Sequence, residues 1–511
     1  MKATPEFSGQ GFEFVRSLLS RASATGSRNA GKSRGPDSGE TDSSASAPPS
    51  RRSVEDALFY CFLAMLAWAP FWFASNRPAI WGVNAIGIAA LTLAYEATLL
   101  WSGKRHPVSI GRIWPAALIF AAVCLWSWLQ MAPSIPRAYQ HPVWQMARDL
   151  LKRDFPGSIS VSREDTVLAL LRFATYGLTF WLALQMCRSA ERAWRLVQAV
   201  AIIGAVYAAY GIVAFYIFPK TILWFEKEGY TDSLTSTFVN RNSYATYAGI
   251  GLVCCFSLIS TVYLRETQNR AASLGRRIAG FVAITAGDGG LWISCAFVIG
   301  AALVLTGSRG GVAATVGGIL ACLSLVAVRG RKNATAVGFT LLLSTLAIGA
   351  AFLNYGDFLA DRLTTEGLAS DDRLAAYGLT WRSISDAPLL GFGDGTFQDV
   401  FPMYRDRSVG ILGVWDKCHN SYLEALQGLG VPLALALFGA LLYLFGKCVR
   451  AALTRKAAAT APLAASAATT ILALHAFVDF SIQIQAIALT WAALIGAGVA
   501  QSWSSRERTS L

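Results

Sequence analysis

Charge is what this sequence has least of. Asp, Glu, Lys and Arg make up 15% of its 511 residues, against 54% hydrophobic residues and a mean hydropathy of +0.44. That balance excludes a soluble globular protein of this size and leaves a polytopic membrane protein. The little charge there is leans basic, 44 Lys and Arg against 31 Asp and Glu. The excess falls in short connections between apolar runs rather than in one soluble patch, so no nucleic-acid partner is expected. The nine cysteines form no C-x-x-C pair, and no His or Cys spacing of a structural metal site appears, so no metal is expected. Cys418 alone lies clearly in an outward loop, without a partner on that side, which argues against an intramolecular disulfide. Residues 1–52 lack large apolar residues after Leu19, as well as the compact apolar core and small-residue cleavage site of a signal peptide. They read as a disordered cytoplasmic arm.

What is abundant is apolar runs of spanning length, about 20 residues each. They number about twelve, near 54–75, 79–101, 113–131, 165–186, 195–218, 242–264, 289–307, 311–328, 334–353, 424–446, 461–478 and 484–502. The expected fold is therefore all-α, a polytopic transmembrane bundle occupying 53–502, with a tail at 503–511. Alternate connections collect Lys104, Arg105 and Arg112, then Arg188, Arg192 and Arg195, then Arg329, Arg331 and Lys332, with few acids. By the positive-inside rule these are cytoplasmic and both termini lie inside. The long polar segment 354–423, between the ninth and tenth spans, then faces outward. Residues 278–290, where AGDGG interrupts an apolar run, fit either a short interfacial segment or an early start to the seventh span. Trp144 to Leu151, in a second outward loop, reads as a short amphipathic surface helix.

The candidate site residues all fall on the outward side, and each admits two readings. Arg309 in TGSRGG is either an interfacial arginine or, with small glycines around it and a helix N-terminus at hand, an anion ligand. Arg373 begins a helix that stops before Pro388, and either pairs with Asp371 or Asp372 or faces a ligand; Arg382 lies further along it. The GFGDG turn at 391–395 follows no strand, which excludes a dinucleotide-binding loop. His419 and Asn420 stand where the outward loop re-enters the membrane, and an unperturbed imidazole suits general-base work near neutral pH. Cys418 is adjacent, but sequence neighbours seldom point at one another. His475 and Asp479, four apart, read as one helix face near the outward end of the eleventh span, either a mutually satisfied pair or part of a site. Asn240, Arg241 and Asn242 are either a polar helix cap or site residues.

In this order, FVNRN, SRGG, an arginine then PLLGFGDGTF, HNSYLEALQGLGVP and HAFVDF resemble the O-antigen ligase and O-antigen polymerase superfamily of bacterial envelope proteins, over about 166–500. The His-Asn motif departs after Gly430, where GVPL stands in place of the more usual Gly-x-Pro-Gly, a difference of subgroup more than of superfamily. The resemblance implies a glycosyltransferase of the bacterial inner membrane, with a periplasmic active site. Its donor would be a polyprenyl-diphosphate-linked glycan, and its acceptor lipid A core or another glycan chain. Arg309 and Arg373 would grip the diphosphate, His419 would help activate the acceptor hydroxyl, and no metal or nucleotide cofactor would be required. The same motifs serve a ligase, in lipopolysaccharide biosynthesis, and an O-antigen or exopolysaccharide polymerase. A rival from another class is a flippase of lipid-linked sugars, which would be expected to carry ionisable or broken-helix features near the bilayer midplane in both halves. Clustering of the charged candidates on one side favours an enzyme.

Overall fold

The computed structural model describes residues 50–267, 287, 289–329, 371–409, 413–455 and 458–503. The expected ninth span at 334–353, the arm before residue 50, the start of the long outward loop, most of 278–290 and the tail after 503 lie outside the described residues. The rest is helical, as long apolar runs must be once lipid leaves their backbone groups only one another to bond. Helices α1 (Ser50–Trp68), α2 (Pro78–Trp101), α3 (Trp114–Gln130), α5 (Arg163–Met186), α6 (Ala190–Ile217), α7 (Arg241–Thr267), α8 (Gly290–Leu305) and α9 (Arg309–Arg329) are followed, after the long polar segment, by α13 (Val431–Thr454), α14 (Thr460–His475) and α15 (Gln485–Ala500). Between them lie four short helices, α4 (Pro142–Leu151), α10 (Asp371–Asp386), α11 (Phe397–Tyr404) and α12 (Ser421–Leu429), and one two-stranded hairpin of Thr221–Ile222 and Phe225–Glu226.

Among the described residues, length and composition establish seven candidate spans rather than the twelve expected. The helices Gly290–Leu305 and Gln485–Ala500 are apolar but shorter. Three boundaries also differ from the sequence reading. The first run ends at Trp68, after which Phe73, Ala74 and Ser75 turn left-handed with φ of 50°, 55° and 56°. The run at 424–446 is two helices, α12 and α13, broken at Gly430. The run at 461–478 stops as a helix at His475, which matters below.

The bundle is built around α14, TAPLAASAATTILALH, which packs on α6, α7, α9, α13 and α15 and is buried along most of its length. Lipid provides no hydrophobic drive between helices, so small residues that let backbones approach take over. A Cβ placed on Gly318 of α9 would stand 2.4 Å from Ile471, and one on Gly496 of α15 would stand 2.6 Å from the Phe180 carbonyl oxygen of α5.

At one end of the bundle the glycine turn joins three segments. Phe392 and Gly393 donate backbone hydrogen bonds to the Gln427 and Gly428 carbonyls (2.9 and 3.1 Å), and Val431 donates to that of Pro388 (2.8 Å). Gly391 (φ +66°) and Gly430 (φ +81°) face each other so closely that a Cβ on either would lie 2.4 Å from the opposing backbone oxygen. The turn is thus a backbone splice that breaks α12 from α13. Over it sits a small separate core of Ala376, Leu379, Phe397, Phe401, Val409 and Cys418. The connections carrying Val108, Arg188 and Gln501 meet at the opposite end, where Gln185 exchanges hydrogen bonds with Val108 (2.9 and 3.0 Å) and Gln501 donates to the Arg188 carbonyl (3.2 Å). Helix α4 keeps Arg148 buried and presents Met146, Leu150 and Leu151 outward, an amphipathic surface helix as read from its sequence.

Two outcomes follow. Gly496→Ala should lower the thermal unfolding midpoint of the purified protein, since overpacking costs about 1–3 kcal/mol, whereas Gly82→Ala, with nothing within 4 Å of the new methyl, should not. Equal midpoints for the two variants would contradict this packing. The Asp399 carboxyl is raised to about 6, by burial first and then by Asp165 beside it. An acid raised on folding binds its proton more tightly folded than unfolded, so stability should fall as pH climbs from about 4 through 6. In Asp399→Asn that slope should flatten, as read from unfolding midpoints at pH 5 and pH 7.

Candidate active site

The His-Asn segment is attached to the end of α14, some 55 residues further along the chain. Asn420 is the N-cap of α12, its Oδ1 accepting from the backbone N–H of Tyr422 and of Leu423 (both 3.1 Å). Its amide nitrogen donates to the Phe477 carbonyl (3.1 Å). Ser421 donates its N–H to Ala476 (2.9 Å) and its hydroxyl to the Asp479 carbonyl (3.1 Å), and the Tyr422 hydroxyl donates to Ala473 (2.8 Å). Those to Ala473 and Ala476 reach carbonyls that the ending helix leaves without intrahelical partners, and those to Phe477 and Asp479 hold the turn that follows it.

His419, one residue before the cap, is left-handed (φ +57°), an uncommon conformation for a residue with a side chain. Tyr377 of α10 holds it by donating to its carbonyl oxygen (3.0 Å). Its ring stands edge-on between Phe480 (5.0 Å between centroids) and Trp415 (6.0 Å), with Nδ1 3.7 Å from Asp479 Oδ1. Neither atom has a hydrogen-bond partner among the described residues, so nothing competes for the contact. The other Asp479 oxygen accepts from the Ser481 hydroxyl. Burial of Asp479 pushes its carboxyl up, but His419, His475 and Ser481 outweigh that and leave it below the ordinary carboxylate value. It is an anion at neutral pH.

This geometry corrects the reading of His475 and Asp479 as one helix face. Helix α14 ends at His475 and the chain turns, Val478 donating back to the His475 carbonyl (3.0 Å), so Asp479 leaves the helical register and meets His419. His475 turns inward instead, its Nδ1 2.6 Å from Thr246 Oγ1 of α7 and 3.4 Å from Ser481 Oγ. Its Nε2 lies against Gly310, only 3.1 Å from where a Cβ there would stand.

That contact brings SRGG into the same corner. Ser308 accepts from the Gly311 N–H (3.2 Å), capping α9, and donates to Asn242 Oδ1 (2.8 Å). A Cβ on Gly311 would lie 2.5 Å from that of Ala245, so the glycines are where α9 closes on α7 and α14. Arg309, half-buried, begins α9 at this junction. Arg373 of α10 donates to the Val478 carbonyl (3.3 Å), on the loop that bears Asp479, rather than forming an ion pair with Asp372. His419, Asn420, Asp479, His475, Arg373 and the Arg309 segment therefore share one end of the bundle.

Other candidates make contacts with different partners. Arg241 donates to Ser233 (3.1 Å) and stacks on Tyr230, 5.3 Å from its centroid, while Asn240 accepts from the Asn242 N–H (2.7 Å), so these two organise the start of α7. Arg382 is exposed, with its charge felt by Tyr404 and Asp406. The Cys418 thiol packs 3.4 Å from Thr380 and burial pushes it up to about 12, so it is a protonated core residue and not a partner for His419. Three residues given no role by the sequence reading matter to the geometry: Tyr377, Ser481, and Glu424, whose buried carboxylate accepts from the Cys418 N–H (3.2 Å) and lies 3.7 Å from Lys417. Only Glu424 had a visible signal, an acid one turn after the Asn420 cap.

Comparison with known proteins bears on this segment. Residues 294–438, which span Arg309, Arg373, Arg382, His419 and Asn420, match the family described as O-antigen ligase. No curated protein matches the chain. The family match, over 294–438, supports the superfamily of ligases and polymerases that the motifs of this chain resemble.

Proposed function

We propose that the chain is a ligase moving a glycan from a polyprenyl diphosphate to a hydroxyl of an acceptor, lipid A core, at the periplasmic face of the bacterial inner membrane. The observation that carries this reading is the contact between His419 and Asp479, inside a corner that also holds Arg373 and the Arg309 helix start. With Nδ1 turned to the Asp479 carboxylate, 3.7 Å away, the tautomer assigned in this step carries its proton on Nδ1 and leaves the Nε2 lone pair to accept one. In the proposed step the acceptor oxygen bonds to the anomeric carbon of the donor sugar while Nε2 takes the hydroxyl proton. The bond from that carbon to the diphosphate oxygen breaks, its electron pair leaving with the diphosphate.

Charge therefore grows on phosphate oxygens, where a fixed guanidinium stabilises it more than it stabilises the ground state. Arg309 and Arg373 are the groups assigned to that charge. Basic connections at the other end of the bundle support placing that end in the cytoplasm and the His419 corner outside.

The test is glycan transfer by purified protein supplied with lipid-diphosphate glycan and lipid A core. His419→Ala should lower transfer at least about a hundredfold, leaving a measurable residual activity. Arg309→Lys and Arg373→Lys, which keep charge but lose the bidentate fork, should each lower transfer about a hundredfold with normal membrane insertion. Full transfer by both lysine variants would sink the diphosphate clamp. Longer lipid-linked chains in place of modified lipid A would make the activity a polymerase.

A further inference from the structure

One cation stands where the apolar sequence gives no reason for it. Arg172 lies about nine residues inside α5, in LALLRFATYGLTF, well within a spanning stretch. Ionisable groups at such depth are costly and are kept for a partner or a function. Its guanidinium stacks 4.3 Å above the ring of Trp81, in the first turn of α2, whose indole N–H is fixed by donation to the Ser75 carbonyl (2.7 Å). Beyond the stack Arg172 has no ion pair or hydrogen bond among the described residues, and its Nε is buried without a partner. One helical turn on, the Tyr176 hydroxyl is also buried without a partner. Two donors on one helix face thus stand without a hydrogen-bond acceptor among the described residues.

The acid whose charge reaches both is Asp394, from the glycine turn. It does not close an ion pair with Arg172. Burial raises the Asp394 carboxyl, Arg172 opposes that, and Glu424 adds to it, so Asp394 is a poor counter-ion here. An arginine fork beside a free hydroxyl matches the oxygens of a phosphate, and an indole in the first turn of a spanning helix marks the interface where lipid phosphates lie.

We propose that Arg172 and Tyr176, backed by Trp81, bind a phosphate group at the membrane interface, in a site separate from Arg309 and Arg373. The inference does not depend on the transfer reaction. The site takes either a lipid headgroup phosphate or free phosphate, and Asp394 limits how tightly it holds a dianion.

The experiment is calorimetric titration of the full-length protein in neutral detergent with dioctanoyl phosphatidic acid, dioctanoylglycerol and inorganic phosphate. Saturable binding of phosphatidic acid, with none of dioctanoylglycerol, is expected. Arg172→Gln should weaken it at least tenfold, Tyr176→Phe by less, and Asp394→Asn should tighten it. The Arg309→Gln/Arg373→Gln double variant should retain the Arg172-dependent binding. Inorganic phosphate binding as tightly would assign the site to free phosphate, and binding only of the lipid would assign it to headgroups. Arg172→Lys, which keeps the charge in the helix, serves if the glutamine variant does not fold, and should also bind more weakly. No saturable binding, binding indifferent to Arg172, or weaker binding in Asp394→Asn would overturn the proposal, the last by making the arginine a counter-charge for that acid.

Discussion

The candidate site depends on one junction, the hydrogen bonding of residues 420–422 onto the unwinding end of α14. A helix that stops inside protein leaves carbonyls to be satisfied, and a loop that starts a helix needs its first N–H groups capped. Asn420 and Ser421 answer both needs, with Asn420 capping α12 through its oxygen while its nitrogen and the Ser421 N–H reach Phe477 and Ala476. Because α14 must end at His475 for this to happen, Asp479 is set free to meet His419. The pairing of acid and imidazole is a product of the junction, and each residue alone is an ordinary loop residue.

Two further constraints keep the junction rigid. Glycines let α9 close on α7 and α14, which puts the Gly310 backbone against His475 and Arg309 beside it. The splice between Gly391 and Gly430 fixes where α12 begins its break from α13, and so how far the His419 loop stands from the bundle. The proposed charge-stabilising role would gain from such stiffness, since dipoles and cations already in place need no reorganisation during a reaction.

Much of this was legible in the sequence. Apolar runs of spanning length marked the helices, and polar strings at their ends marked the corner that the structure assembles from Arg309, Arg373, His419, Asn420, His475 and Asp479. What was not legible was anything set by local backbone geometry across long separations. Periodicity carries the eleventh apolar run past the end of α14 to Asp479, because the turn after His475 has no glycine or proline to announce it. The break at Gly430 was hidden within a continuous apolar run, and its cause is a splice to a turn some 40 residues earlier. Arg172 was absorbed as one polar residue in a spanning stretch, since composition counts it without saying whether it has a partner. Arg241 and Arg382 illustrate the converse, cations singled out in the sequence whose contacts include Ser233 for Arg241 and the surroundings of Asp406 for Arg382.

The claim on which the functional reading rests is that His419 and Asp479 act as one unit. The direct measurement is a double-mutant cycle on glycan transfer with His419→Ala, Asp479→Asn and the pair combined. A working pair predicts that Asp479→Asn alone lowers transfer about tenfold or more, and that adding it to His419→Ala changes nothing further. Losses that multiply, or an Asp479→Asn variant as active as the wild type, would contradict it.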